Sequence, residues 1–396
     1  MDFRDSPQEA AFRSEARAFL EAHGPKEYVH AFAQNVDDGA LVRSNRAWQR
    51  TLYEHGWAAL TWPREFGGRG LGPIEQIVWN QELARAGLGE SVFVVGIGMA
   101  GPTIIAHGTD AQKGRFLEPM LRGEEIWCQL FSEPGAGSDL AGVACRAERD
   151  GDDWVLSGQK TWCSGGHYGD WGILLARSDP SLPKHQGISF FLLDMKTPGV
   201  EVRPLRQMTG SEHFNEIFLN DVRIPDHCRL GPEGGGWAVA KTTLMHERMA
   251  IGGIELMSFR WEDFLAHVRE NVARLDDVLR DDVARLYTWV KSLELLNARM
   301  ITKLGRGEMP AAEASVMKLA MARIVTEGGN AGLRLLGADA AGKDGMWQDI
   351  FLMAPSFHIA GGTDEIQKNQ AAERVLGLPR EPGPDRNLPF DQLPRG

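Results

Sequence analysis

Cysteine is scarce in this 396-residue sequence: Cys128, Cys145, Cys163 and Cys228 stand far apart, with no C-x-x-C pair and no histidine at zinc-ligand spacing. The pattern excludes a disulfide scaffold, leaves no metal centre expected, and suits buried free thiols in a reducing compartment. Long apolar runs are missing as well. No stretch of about 18 uninterrupted apolar residues occurs, so a membrane span is not expected. The first residues are polar where a secretory leader would be basic and then apolar, so the expected location is cytoplasmic. Nor is there a basic excess: 43 Lys and Arg face 54 Asp and Glu, a net charge of −11. Nucleic-acid binding draws on clustered cations that release counterions, so no nucleic-acid partner is expected.

What is present is an ordinary globular composition, 43% hydrophobic, in a chain longer than one typical domain, so two or three packed units are expected. Ser6-Pro7-Gln8-Glu9 combines an N-cap serine, proline at the first helical position and a glutamate placed to close a capping box. Phe12, Ala16, Phe19 and Leu20 follow on one face. Helical patterns continue over Asn45–Gly56, Ile74–Gly87 and Asp110–Arg122. From about Trp127 the segments become short and β-rich: Trp154–Leu156, Trp171–Leu175, Ile188–Leu193, Val200–Pro204 and Glu216–Leu219. Their spacing suits an antiparallel barrel or sandwich. Long helical patterns return over Trp237–Val272, Arg280–Gly305, Ala311–Leu336 and Gly345–Leu376, which reads as a four-helix bundle. The expected fold class is therefore α+β: an N-terminal helical domain over 1–122, a middle antiparallel β-barrel over 123–232, a C-terminal four-helix bundle over 233–380 and a peripheral tail over 381–396.

Gly96-Ile97-Gly98-Met99-Ala100-Gly101 matches the G-x-G-x-x-G dinucleotide fingerprint and follows the apolar Val92-Phe93-Val94-Val95. Its context fails: Pro102 follows the third glycine, His107-Gly108-Thr109-Asp110 stops the helix, and no strand–helix alternation continues. The expected role is a close helix contact that needs small residues.

The stretch Phe131-Ser132-Glu133-Pro134-Gly135-Ala136-Gly137-Ser138-Asp139-Leu140 exposes backbone N–H groups at small residues and adds the Ser132 and Ser138 hydroxyls. It reads either as a cradle for a polar ring edge or a phosphate, or as a Gly-rich turn before the barrel. About 30 residues on, Gly158-Gln159-Lys160-Thr161-Trp162-Cys163-Ser164-Gly165-Gly166 places Trp162 and Ser164 two residues apart. On a strand both would point to one face, the indole covering a flat ring and the hydroxyl reaching its polar edge. Thr363 and Glu365 stand in Ala360-Gly361-Gly362-Thr363-Asp364-Glu365-Ile366-Gln367. In this order, within an α, β, α succession, these segments resemble the acyl-CoA dehydrogenases from roughly Ser6 to Pro379.

The resemblance implies an FAD-dependent enzyme that desaturates a CoA thioester and passes electrons to an electron-transfer flavoprotein. It implies that the Phe131 backbone and the Ser132 side chain meet the flavin pyrimidine edge, and that Gly137 and Ser138 line the flavin and CoA approach. Trp162 and Ser164 would flank the reactive ring near N5. Thr363 and Glu365 would lie by the flavin pyrophosphate, at a helix start that suits a phosphate electrostatically. Many members carry the catalytic glutamate immediately before the Gly-Thr pair of the last motif, but here that position is Gly361, which cannot accept a proton. A second group carries it on an earlier helix directly before an arginine, and His246-Glu247-Arg248 stands at that place.

By resemblance Glu247 is the base and Arg248 contacts substrate or adenine. From the residues alone, Glu247 reads as the neutraliser of a buried arginine and Arg248 as the partner of an acid. Glu247 shares a helical face with Leu244, Ala250, Ile251 and Ile254. Poor solvation there would raise its pKa and make it a better base. His246 points about 100° away and reads as a packing residue. In the implied reaction Glu247 removes the α-proton while the Gly361 N–H and a ribityl hydroxyl of FAD hold the thioester oxygen. The β-hydrogen leaves as hydride to flavin N5, giving a trans-2-enoyl-CoA.

Two further family segments, through which a neighbouring subunit grips FAD, are not matched. Here those regions read Arg269-Glu270-Asn271-Val272-Ala273-Arg274 into Asp281-Asp282, and Arg334-Leu335-Leu336-Gly337-Ala338. The expected assembly is a homodimer or homotetramer with substitute contacts; the alternative is a heteromer in which a homologous chain supplies them. Competing activities are an acyl-CoA oxidase-like flavoenzyme and a non-catalytic partner subunit. The glutamate position resembles that of enzymes for branched, long or bulky acyl groups, including steroid side chains, and acyl length is not legible.

Overall fold

The capping box at the start of the chain forms: Ser6 N donates to Glu9 Oε2 at 2.6 Å and Glu9 N to Ser6 Oγ at 3.2 Å. It opens α1 (Pro7–His23) in a computed structural model that describes residues 5–31, 36–89, 91–251, 259–308, 313–342, 345–380 and 387–393, without the side chains of 248–251 and 305. The chain packs as two compact units, one of Met1–Arg17, Pro73–Ala84 and Ile251–Arg380, the other of Ala18–Gly72, Arg85–Ala250 and Glu381–Gly396.

In the larger unit, α2 (Asp38–Glu54) begins a full two turns before the expected Asn45, because Asp37 caps it by accepting from Ala40 N at 2.7 Å. After α3 (Pro73–Arg85), which belongs mainly to the other unit, the glycine segment is helical. A π turn over Gly96–Ala100 runs into α4 (Gly101–His107), followed by α5 (Asp110–Leu121). The small residues serve a helix contact. A Cβ on Gly101 would stand 1.9 Å from the Trp62 ring, and Trp62 Nε1 donates to Ile97 O at 3.0 Å.

The middle of the chain forms one eight-stranded sheet in the order β6-β7-β3-β2-β4-β5-β8, with β1 beside β4. Its strands are β1 (Trp127–Leu130), β2 (Arg146–Asp150), β3 (Asp153–Ser164), β4 (Trp171–Arg177), β5 (Ile188–Asp194), β6 (Val200–Leu205), β7 (Phe214–Pro225) and β8 (Arg229–Leu230). The expectation of an antiparallel arrangement holds for most pairs, but β1 runs parallel to β4 over its four residues. Parallel neighbours need a long crossover, which the 131–145 loop with β2 and β3 supplies.

Period-2 alternation then sorts the apolar residues between two cores. Trp127, Ile173, Leu175, Phe190 and Leu192 join one with α4, α5 and α6 (Gly236–Ile251); Cys128, Leu130, Leu174, Ala176, Phe191 and Leu193 join the other. Burial pushes the Cys128 thiol up to about 12 and that of Cys145 up to about 11, so these cysteines are inert packing groups.

In the other unit, α1 and α3 are joined by Glu82, 4% exposed, which accepts from Arg17 at 2.9 Å and Arg13 at 3.2 Å. The bundle comprises α7 (Trp261–Glu270), α8 (Asp277–Gly305), α9 (Glu313–Leu336), α10 (Met346–Phe357) and α11 (Asp364–Arg374), around Phe259, Phe264, Leu286, Ile324, Leu335 and Trp347. Two of the expected long helices are corrected. The last is two, since Gly361 and Gly362 adopt φ of 65° and 89° and end the run. The first is separated into α6 and α7, with 252–258, including Ile254, outside the described residues. No described helix is long and apolar enough to cross a membrane.

Candidate active site

The loop after β1 is fastened to β3 by a buried ion pair. Lys160, fully buried, donates from Nζ to Glu133 Oε1 at 2.7 Å and to the Phe131 carbonyl at 3.0 Å. The remaining acceptor capacity of Glu133 takes the amides of Ala144 at 2.7 Å and Cys145 at 3.0 Å. Thr161 N donates to Ser132 O at 2.9 Å, and Glu133 and Ala136 exchange a pair of backbone bonds at 3.0 Å. The Phe131–Ala136 turn is therefore held against the strand that carries Trp162 and Ser164. Phe131 is buried, Ser132 half-buried, and Gly137 and Ser138 exposed.

Trp162 and Ser164 do not sit on a regular strand. Between Lys160 and Cys163, β3 has one residue more than β7, and Trp162 within this bulge has φ of 60°. A bulky side chain in the left-handed region costs on the order of 1–3 kcal/mol, so the surrounding ladder must enforce it. The bulge leaves Trp162 61% exposed, edge-on to Phe214 at 5.9 Å, and Ser164 half-buried, on either side of the fully buried Cys163. An exposed indole held by strained backbone, beside hydroxyls and Cβ-free backbone, fits a flat ring with a polar edge.

Ser164 also lines a small cleft with Val92, Val95, Trp127 and His213. Burial pushes the His213 imidazole down to about 4, helped by nearby His167. An unfolded histidine titrates near 6.5, so below that pH the unfolded state takes up the proton first. Stability is then lost progressively as pH falls from about 6.5 to 4, by at most about 3 kcal/mol. The acid side of the urea midpoint against pH is expected to flatten in His213→Gln; an unchanged slope would contradict this.

Glu247 lies one turn from the end of α6, half-buried, on the helix whose Val239, Ala240 and Leu244 pack on the core shared with Trp127. α6 is pinned to α4 by Thr243 to Thr103 at 3.0 Å and Thr242 to His107 at 2.8 Å. Gln129 follows Trp127 by two positions on β1, so it presents to the same side, and its Nε2 donates to Glu247 Oε2 at 3.2 Å. Burial lowers the pKa of neighbouring His246. The side chains of Arg248, Ala250 and Ile251 lie outside the described residues.

Gly361, Thr363 and Glu365 belong to the other unit. Gly361 has open space where a Cβ would stand, and its carbonyl accepts from Gln367 Nε2 at 2.9 Å. Thr363 caps α11 by accepting from Ile366 N at 3.3 Å, and Glu365 is exposed in its first turn. Asp364 is bound by Lys318 at 3.0 Å and His358 at 2.7 Å. Among the described residues of the two unmatched segments, Arg334 of the second bonds Asp282 of the first at 2.5 Å, and Asp281 and Asp282 also pair with Arg285, which lies just beyond the first. Both arginines are already neutralised within the chain.

Gln129, Lys160 and Arg177 carry no functional mark in the sequence, and Glu133, in its Gly/Pro loop, reads there as structural. A glutamine inside the otherwise apolar Trp127–Leu130 segment is the one available signal; Lys160, among Ser157, Gly158, Gln159 and Thr161, gives none.

Domain models for the N-terminal, middle and C-terminal domains of acyl-CoA dehydrogenase match residues 6–124, 128–222 and 234–376. Acyl-CoA dehydrogenase IpdE1 of Mycobacterium tuberculosis is 39% identical over 93% of this chain and 98% of its own length. FadE34 of the same organism is 42% identical over 84% of this chain, which spans 46% of that longer relative. Among solved structures, the Tcur3481-Tcur3483 steroid ACAD matches with a TM-score of 0.81 at 30% identity, over 96% of this chain and 100% of that one. The ChsE4-ChsE5 complex from Mycobacterium tuberculosis matches with a TM-score of 0.79 at 28% identity, over the same shares. All three domains being matched in order, and a relative well above 30% identical being spanned nearly whole, the chain belongs to the acyl-CoA dehydrogenase family of FAD-binding oxidoreductases.

Proposed function

We propose that Glu247 is the base that removes the α-proton of an acyl-CoA thioester in an α,β-dehydrogenation giving a trans-2-enoyl-CoA. The observation that carries the reading is the Glu247 carboxylate itself, half-buried at the end of α6 and oriented by Gln129, in a chain whose alternative position holds Gly361. FAD, when bound, supplies the acceptor of the β-hydride at N5. On this reading Phe131, Ser132, Trp162 and Ser164 hold the flavin ring, Gly137 and Ser138 line the flavin and CoA approach, and Ser138 and Arg248 meet the substrate. Thr363 and Glu365 stand by the pyrophosphate, and the Gly361 N–H binds the thioester oxygen. The division near residues 122 and 232 and the arm from 381 go with it. The electron acceptor is an electron-transfer flavoprotein, and the acyl group is bulky or branched, in keeping with the steroid ACAD similarity.

A heteromer is the second reading, favoured by the pairing of Arg334 with Asp282 within the chain, where both subunit-crossing segments depart from the family. Anaerobic addition of acyl-CoA thioesters to the chain purified alone tests both. Bleaching of a flavin spectrum supports a self-sufficient dehydrogenase, and rapid peroxide formation in air would indicate an oxidase. A protein that stays colourless with added FAD but gains colour with a co-purifying homologous chain supports the heteromer; one that bleaches with no thioester in either form contradicts the main reading.

A further inference from the structure

The C-terminal arm, which the sequence left without a role, is laid along the turn between β4 and β5. Phe390 N donates to Leu182 O and Asp391 N to Pro180 O, both at 3.0 Å, and Pro183 bridges Pro389. The Phe390 ring lies against the Arg177 guanidinium, 3.9 Å from carbon to centroid. Arg177 is 3% exposed, and burial pulls it down to about 10. Its hydrogen bonds go to main-chain carbonyls: Lys184 O at 2.7 Å, Ala141 O at 2.6 Å and Val143 O at 3.1 Å. Lys184, on the turn the arm covers, pairs with Asp139 at 2.8 Å. The arm thus bears on the segment that follows Gly137 and Ser138 at two points, through Arg177 on Ala141 and Val143 and through Lys184 on Asp139.

We propose that residues 387–393 are a strap that holds the 139–143 segment in place, with Phe390 closing the dry face of Arg177. The geometry follows from the donors. A planar guanidinium spends its edge on carbonyls and leaves its faces bare, and an aromatic ring covers a face while stabilising the cation. With water admitted at that face, the carbonyl bonds compete with solvent and the segment loosens. The consequence for turnover rests on the reading of Ser138 as a CoA-side residue: the strap is then a positioning element for thioester binding and not part of the catalytic machinery.

The test compares the FAD-loaded full chain with a chain ending at residue 386, Phe390→Leu and Phe390→Trp. Amide hydrogen exchange over 139–143 is expected to quicken about tenfold in the truncated chain and less in Phe390→Leu. The parent rate should return in Phe390→Trp, with the β3–β7 ladder unchanged throughout. Unchanged exchange over 139–143 overturns the strap, whatever the activity; quickening across the whole sheet overturns it as well, since that is global destabilisation. If the thioester reading is also right, KM rises about tenfold in the truncated chain with kcat nearly constant. Faster local exchange with an unmoved KM keeps the strap and removes Ser138 from the substrate path.

Discussion

Replacing Glu247 by Gln is expected to slow flavin reduction by an acyl-CoA about 10²- to 10⁴-fold, the usual contribution of a positioned general base. Flavin content and thioester affinity should hold. The amide has nearly the shape of the carboxylate and still accepts a hydrogen bond from Gln129, so the packing of α6 on α4 is preserved while the proton acceptor is lost. Anaerobic stopped-flow reduction, with binding followed separately by titration, checks this. A rate within about threefold of the parent would remove Glu247 from the mechanism. Gln129→Leu should have a smaller effect of the same kind, on the rate of reduction more than on binding, because Gln129 acts only through the orientation of Glu247.

The largest effect on stability is expected at Lys160. Lys160→Met leaves Glu133 buried and charged with its strongest partner gone, a change that typically costs about 3–5 kcal/mol. It also frees the Phe131 carbonyl, so the turn that carries Ser132 loses its side-chain anchor to β3 and keeps the Thr161 N–Ser132 O bond. Urea unfolding should show the loss. Lys160→Met combined with Glu133→Gln should recover part of the stability, since no bare charge remains, without restoring the tether. If the turn positions the flavin edge, the double variant will be folded yet bind FAD more weakly, as equilibrium dialysis would show. Full FAD affinity in a folded double variant would mean that the ion pair serves the core alone.

The residues whose roles can be read locally were legible. The capping box at Ser6 depends on a neighbour three positions away, and the small residues of Gly96–Gly101 announce a close contact even though its partner, Trp62, stands far earlier in the chain; the glycines at 361 and 362 were read as part of one helix. The failures share a cause. Trp162 and Ser164 were read as a plain strand pair because a bulge is a property of two strands, and its partner residues on β7 lie about fifty positions later. Gln129 gains meaning only from Glu247, 118 residues on, and Lys160 only from Glu133, across a separation of 27. Arg177 ends β4, two residues beyond the expected strand, and the ring that covers it comes from the tail.

By itself, then, the sequence determined the α, β, α succession, the family and the residue types able to take a proton and cover a flat ring. These follow from periodicity, punctuation and side-chain chemistry, which are written along the chain. Only the tertiary structure decided which polar groups stand beside which: that a buried lysine anchors the Phe131 turn, that a glutamine orients Glu247, and that the C-terminal arm closes over Arg177. A buried polar group must find its partner wherever the fold brings one, and that distance in sequence carries no local signal.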